Sequence, residues 1–135
     1  MSAIDQTQAT REVVQTAYDG MCGGDLPKFL GQLADDCVLT EPPGHPAGGV
    51  YEGRDAIEAA FPALAGALGL RGVVVHHLLV DGDRAVGLLD MLCTGKDGTE
   101  YTMPLAESWL VRDGKVAEIT PYAFDLVELA TRAGG

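Results

Sequence analysis

The stretch Leu39 to Pro46 reads LTEPPGHP: a carboxylate, Glu41, closes an apolar run, two prolines follow, and an imidazole, His45, stands four positions later. Proline fixes φ and holds the chain still around its neighbours, a setting that a proton-transferring acid needs and a solvated surface acid does not. Glu107 is placed as pointedly. Strand side chains alternate between faces, so Tyr101, Met103, Leu105, Glu107, Trp109 and Val111 share one face, and the carboxylate interrupts an apolar and aromatic row. Cys37, Leu39 and Glu41 share a face in the same way. Acids in apolar surroundings have raised pKa values and mark candidate sites. Glu41, at a strand end beside a loop, is expected to ionise normally, and Glu107 to be the raised member of the pair.

Asp90 lies among Leu88, Leu89, Met91 and Leu92, where a charge is costly unless partnered; it is a candidate for a site wall or for a structural hydrogen bond. His45, with an unperturbed pKa near neutrality, is a candidate proton shuttle or orienting donor over a pocket. Tyr18, Trp109 and Tyr122 are candidates to shape and orient a ligand. His76 and His77 are adjacent on a strand, so at most one of them faces a pocket. No His, Cys, Asp or Glu set has metal-ligand spacing, and neither a metal nor a cofactor is expected.

The elements that must position these groups are legible in outline. Val14, Ala17, Tyr18 and Met21 form the stripe of an amphipathic helix over residues 5–22, ended by Gly23-Gly24. Asp25 caps a short second helix with Pro27 in its first turn, and residues 37–41 form a strand. Gly53-Arg54-Asp55 opens a third helix with Ile57, Phe61, Leu64 and Leu68 on one face, which Pro62 is expected to kink or restart. Strands follow over 72–80, 85–94, 99–111 and 115–125, joined at Asp81-Gly82-Asp83, Lys96-Asp97-Gly98 and Asp113-Gly114-Lys115 by hairpin turns. Helices first and hairpin-linked strands afterwards predict one α+β domain over residues 1–135. Its curved antiparallel sheet, with three N-terminal helices on one face, encloses a conical cavity.

Composition narrows what that cavity holds. Nine Lys and Arg against 20 Asp and Glu give a net charge of −11, with the basic residues scattered singly. Nucleic acid and anionic membranes need clustered cations and are excluded as expected partners. A neutral or weakly polar small molecule fits better. The three cysteines, Cys22, Cys37 and Cys93, lie among apolar residues without a pairing pattern and are expected to be reduced core residues. With no leader-like or membrane-length apolar segment, the expected location is the cytoplasm.

The order of elements and the strings VVQTAYDGMCGGDLPKFLGQLADDCVLTEP, VYEGRDAIEAAF, VDGDRAV and SWLVRDGKVAEITPYAFD resemble the nuclear transport factor 2-like superfamily, in its SnoaL-like and ketosteroid isomerase-like branch. In the isomerase-like members an acid before proline on the strand after the second helix is the general base, and Glu41-Pro42 is the matching pair. A second acid, held neutral as a hydrogen-bond donor, resembles Glu107 followed by Trp109; that two-carboxylate pattern is an established one for ketosteroid isomerase. The phenolic donor of those isomerases has Ala17 in register, with Tyr18 about 100° further round the helix. Of the epoxide hydrolase acid set only Asp90, in Leu88-Leu89-Asp90, has a counterpart, and Tyr122 stands at the late acid position.

The resemblance implies a cystatin-like α+β barrel and a cofactor-independent enzyme. Its expected work is cyclisation or isomerisation of a neutral, largely apolar molecule of polyketide-type secondary metabolism, in a homodimer. Glu41 would be the base, and Glu107 or Asp90 its acid partner. An epoxide-opening hydrolase or cyclase and a non-catalytic, dimerising ligand-binding module are the alternatives.

Overall fold

The structure is a computed structural model and describes residues 2–133. Helix α1, Ala3–Cys22, starts at Ser2, whose side chain accepts the Asp5 N–H, and buries Thr10, Val14, Ala17 and Tyr18 along one stripe. Helix α2, Leu26–Leu30, is capped by Asp25 and carries Pro27 in its first turn. Helix α3, Arg54–Leu68, runs as one span through Pro62. The expected restart does not occur: Pro62 and Glu58, whose carbonyl loses its helical partner to the proline, both lie on the exposed side, so the carbonyl is not buried unpaired.

Six strands form one sheet: β1 Leu33–Glu41, β2 Gly49–Glu52, β3 Leu70–Asp81, β4 Arg84–Thr94, β5 Glu100–Arg112 and β6 Lys115–Ala123, in the order β2-β1-β6-β5-β4-β3. Strands β3 to β6 are an antiparallel meander. Asp113 and Gly114 both take positive φ in the two-residue turn between β5 and β6, as a type I′ hairpin requires. Strand β1 lies parallel to β6 and antiparallel to β2, so the sheet is mixed rather than wholly antiparallel. A short helix α4, Leu126–Arg132, follows β6.

Helix α1 crosses the inner face of β3 to β6, and α3 covers β1, β2 and β3. Between them lies one apolar cluster that includes Trp109, Tyr18, Leu33, Ile57 and Met103. Cys37 and Cys93 belong to this core, whereas Cys22, at the end of α1, is exposed, contrary to the expectation that all three are core residues. No described helix is long and apolar enough to cross a membrane.

Candidate functional site

The inner faces of β1, β5 and β6 converge on an apolar cavity of about 100 Å³ that opens to solvent. Leu39, Leu105, Ile119 and Trp109 line it from the sheet, and Ile57, Phe61 and Leu64 from α3. Phe29 of α2 and Phe61 lie with ring centroids 5.8 Å apart, and beyond them the same walls open into a shallower depression that reaches Arg71. The acids of this lining are Glu41 and Glu107, and its one other titratable side chain is His45.

Glu107 is buried at 8% exposure. The Tyr18 hydroxyl donates to its Oε1 at 2.9 Å, and the Trp109 indole Nε1–H donates to the Tyr18 oxygen at 2.8 Å. The order of donors is fixed at both ends, because an indole nitrogen only donates and the phenolic hydrogen must therefore turn to Glu107. The rings of Tyr18 and Trp109 meet edge to face, with centroids 5.0 Å apart. Sequence register set Tyr18 away from the phenolic position, yet its hydroxyl reaches the carboxyl because Gly87, opposite Glu107 on β4, leaves a gap. A Cβ at Gly87 would stand 2.7 Å from Tyr18 Cζ. Gly87 is the residue that sequence reading missed; a glycine inside an otherwise β-rich run was its signal.

Glu41 is 9% exposed, at the end of β1. His45 Nε2 lies 3.1 Å from its Oε2, and the imidazole is turned inward by the loop over residues 42–48. Among the described residues no buried side-chain oxygen or nitrogen lacks a hydrogen-bond partner. Both carboxyls line the cavity, and the second oxygen of Glu107 accepts from no protein donor.

Burial raises both acids. Glu41 is pushed up to about 8 by burial first and then by the charge of Glu107. Glu107 is pushed up to about 7 by burial, with the Tyr18 hydroxyl working against it. The expectation of an ordinary Glu41 is thus overturned, because the loop that was read as its access to water folds back and seals it. Two raised acids on one cavity titrate as a pair that holds about one proton near neutrality. Burial, then the carboxylate beside it, keeps Tyr18 a neutral phenol, and burial lowers the pKa of His45.

Asp90, expected at the site, does not stand there. It faces the outer side of the sheet, where His76 Nε2 meets its Oδ2 at 2.8 Å, and it takes no part in the cavity. Alternation on β4 gives the inner face to Leu89, Met91 and Cys93 and leaves Leu88, Asp90 and Leu92 outside. Tyr122 is likewise on the outer face, 58% exposed, and cannot orient a ligand in the cavity. His76 and His77 both border this outer region, since the ladder shifts register between Val75 and His77. Among the described residues no three His, Cys, Asp or Glu side chains gather as a metal-binding group.

The SnoaL-like domain family model matches residues 14–119. No curated protein sequence matches the chain. Solved structures do. TerC, co-crystallised with polyporic acid, is 24% identical with a TM-score of 0.84, over 94% of this chain and 99% of that one. Bal32a, from a soil-derived mobile gene cassette, is 20% identical with a TM-score of 0.83, over 94% and 98%. A putative SnoaL-like polyketide cyclase from Jannaschia sp. CCS1 is 17% identical with a TM-score of 0.73, over 96% and 94%. At these identities the likeness is one of fold.

Proposed function

Because the chain belongs to the SnoaL-like domain family, we propose that it is an acid/base enzyme of the cyclase or isomerase type, acting on a neutral, largely apolar small molecule. The observation that carries this reading is the pair of buried carboxyls, Glu41 and Glu107, on a single apolar cavity, Glu107 accepting from the Tyr18 hydroxyl and Glu41 with His45 Nε2 3.1 Å from one oxygen. The cyclase named among the fold relatives supports a polyketide-type ligand.

In this mechanism Glu41 is the base and Glu107 the hydrogen-bond donor. Burial and the Glu107 charge leave the shared proton mainly on Glu41 at rest, and the reactive form is the one in which that proton stands on Glu107 and Glu41 is ionised, with His45 Nε2 3.1 Å from its Oε2. One of the Glu41 oxygens removes a proton from the carbon next to a carbonyl of the ligand, and the electron pair moves through the new C=C bond onto that carbonyl oxygen. Protonated Glu107 donates to the enolate as it forms, in a cavity with little water to compete. Return of the proton to a different carbon completes an isomerisation. Attack of the enolate carbon on a second carbonyl of the same molecule, with the proton passed to the new alkoxide, completes a cyclisation. Tyr18 and Trp109 hold Glu107 in place, and the walls of α3 and β6 confine the ligand.

The same reading includes a homodimer paired through the outer sheet face, where Val74, Leu88, Tyr122 and Phe124 are exposed.

Deuterium exchange tests the chemistry before the substrate is known. Neutral 1,3-diketones and enones of polyketide type are incubated with the protein in heavy water, and wash-in at the acidic carbon is followed by NMR. Glu41→Gln is expected to lower the catalysed rate by at least ~100-fold, the usual worth of a positioned base, while leaving the thermal midpoint within a few degrees. Wash-in that is catalysed equally by both proteins would remove Glu41 from the mechanism.

A further inference from the structure

The loop over residues 42–48 carries more hydrogen bonds than closing a strand end requires. The His45 N–H donates to the Pro42 carbonyl at 3.1 Å, the Gly48 N–H to the His45 carbonyl at 3.0 Å, and the Tyr51 hydroxyl to the Ala47 carbonyl at 2.8 Å. Gly48 is packed so closely that a Cβ there would stand 2.8 Å from the Pro42 oxygen. Within this frame the Ala47 N–H donates to His45 Nδ1 at 3.0 Å, while Nε2 lies 3.1 Å from Glu41 Oε2. The imidazole is 5% exposed.

A nitrogen that accepts an N–H must keep its lone pair, so Nδ1 carries no proton and the proton of the neutral ring is on Nε2. We propose that His45 is a positioning residue for Glu41: the loop backbone holds it as the neutral Nε2–H tautomer, which ties Glu41 Oε2 and leaves Oε1 to exchange protons with the ligand. The inference rests on the reading of Glu41 as the base, and it excludes His45 as the shuttle. To take a proton, the ring would have to accept it at Nδ1. That would expel the Ala47 N–H and place a cation in a buried site. The titratable groups around the ring are Glu41 on β1, Glu107 across the cavity on β5 and the Tyr51 hydroxyl on β2. No lysine or arginine lines the cavity to share the work of holding a carboxylate. The His45 donor is therefore what offsets the burial of ionised Glu41.

Both halves of the proposal are measurable without a substrate. With nitrogen-15 in the histidines, long-range proton–nitrogen correlation reads the tautomer of His45 directly, with His76 and His77 as internal references. At pH 7 His45 is expected to be neutral and protonated at Nε2; an Nδ1–H tautomer or a doubly protonated ring overturns the proposal. With carbon-13 in the glutamate carboxyls, the Glu41 titration is then followed in His45→Phe, which fills the space without a donor, and in His45→Gln, which restores one. A hydrogen bond to a charged group sets the expected shift at about 1–2 pH units upward in His45→Phe, with return toward the wild-type titration in His45→Gln. No shift in His45→Phe overturns the proposal, and if that variant does not fold, the tautomer of the wild-type protein decides alone. These readouts stand apart from the exchange assay: inactive chemistry with the expected tautomer and shift would remove the role of Glu41 and leave the role of His45 toward it intact.

Discussion

Glu107 is held by a chain of two donors, Trp109 through Tyr18, in which the first fixes the direction of the second, while Glu41 has His45 Nε2 at 3.1 Å, the ring itself held by the Ala47 N–H. Strand alternation was enough to read both acids as inward-facing. It could not exclude Asp90, because the outer face of this sheet is itself apolar and flanking leucines do not reveal which apolar face borders the cavity. Nor could it foresee that the loop folds over Glu41, since that closure depends on His45 turning inward. The buried acids have a consequence for stability. A carboxyl whose folded pKa lies above its unfolded value keeps a proton that the unfolded chain releases, so stability falls as pH rises from the ordinary carboxylate range toward about 8 for Glu41 and about 7 for Glu107. His45 acts in the opposite sense, because its lowered pKa costs stability as pH falls below the ordinary imidazole value of 6.5. Between that value and about 8 the carboxyl effect is therefore unopposed. The thermal midpoint is expected to drop by several degrees across this window, at roughly 4 °C per kcal/mol for a chain of this size. Calorimetry of Glu41→Gln should show a shallower fall and a higher midpoint than wild type at pH 8. Parallel curves would mean that Glu41 is not held protonated in the folded chain.

At the scale of elements, the site depends on how closely α1 lies on β4. Gly87→Ala would put a methyl group into the Tyr18 ring, forcing the hydroxyl off Glu107 and away from the Trp109 indole. Overpacking of this kind costs about 1–3 kcal/mol. Trp109 is the only tryptophan of the chain, so its emission reports the loss of the Tyr18 contact directly. Gly87→Ala is expected to change that emission and lower the thermal midpoint, and adding Tyr18→Phe should recover part of the midpoint by removing the nearest atom. Unchanged emission in Gly87→Ala would show that the helix stands further from the sheet. The main helices and the four-strand meander were legible because each announces itself locally, by a 3.6-residue stripe, a cap or a turn triplet. Strand β2 was not, being four mostly exposed residues paired, among the described residues, with β1 alone. The first half of β1 was equally silent, since Asp35 and Asp36 are exposed and its parallel partner β6 lies about eighty residues further along the chain. Helix α4 is seven residues long, and what holds it is Leu129 buried in the core rather than its own propensity.

For the whole molecule, the question is what the outer face of the sheet is for. Val74, Leu88, Tyr122 and Phe124 lie exposed around the His76–Asp90 pair, on the side of the sheet that α1 and α3 leave uncovered. Scattered apolar residues on a surface need no explanation, but a contiguous set does. A second copy is the occupant proposed above, and charge makes that proposal testable in an unusual direction. Each chain carries a net charge of −11, so two copies repel at long range while their apolar faces attract at contact. Added salt screens the repulsion, with a Debye length falling from about 30 Å at 0.01 M to about 10 Å at 0.1 M, and leaves apolar burial in place. Dimerisation driven by this face should therefore strengthen with salt over that range, where an interface held by ion pairs would weaken. Light scattering after gel filtration is the measurement, with Leu88→Lys and Tyr122→Glu placed on the outer face, away from the cavity-lining residues. Wild type is expected to run as a dimer that tightens with salt, and both variants as monomers that keep the Trp109 emission of wild type. A wild-type monomer at every salt concentration would leave the outer face without a partner of its own kind.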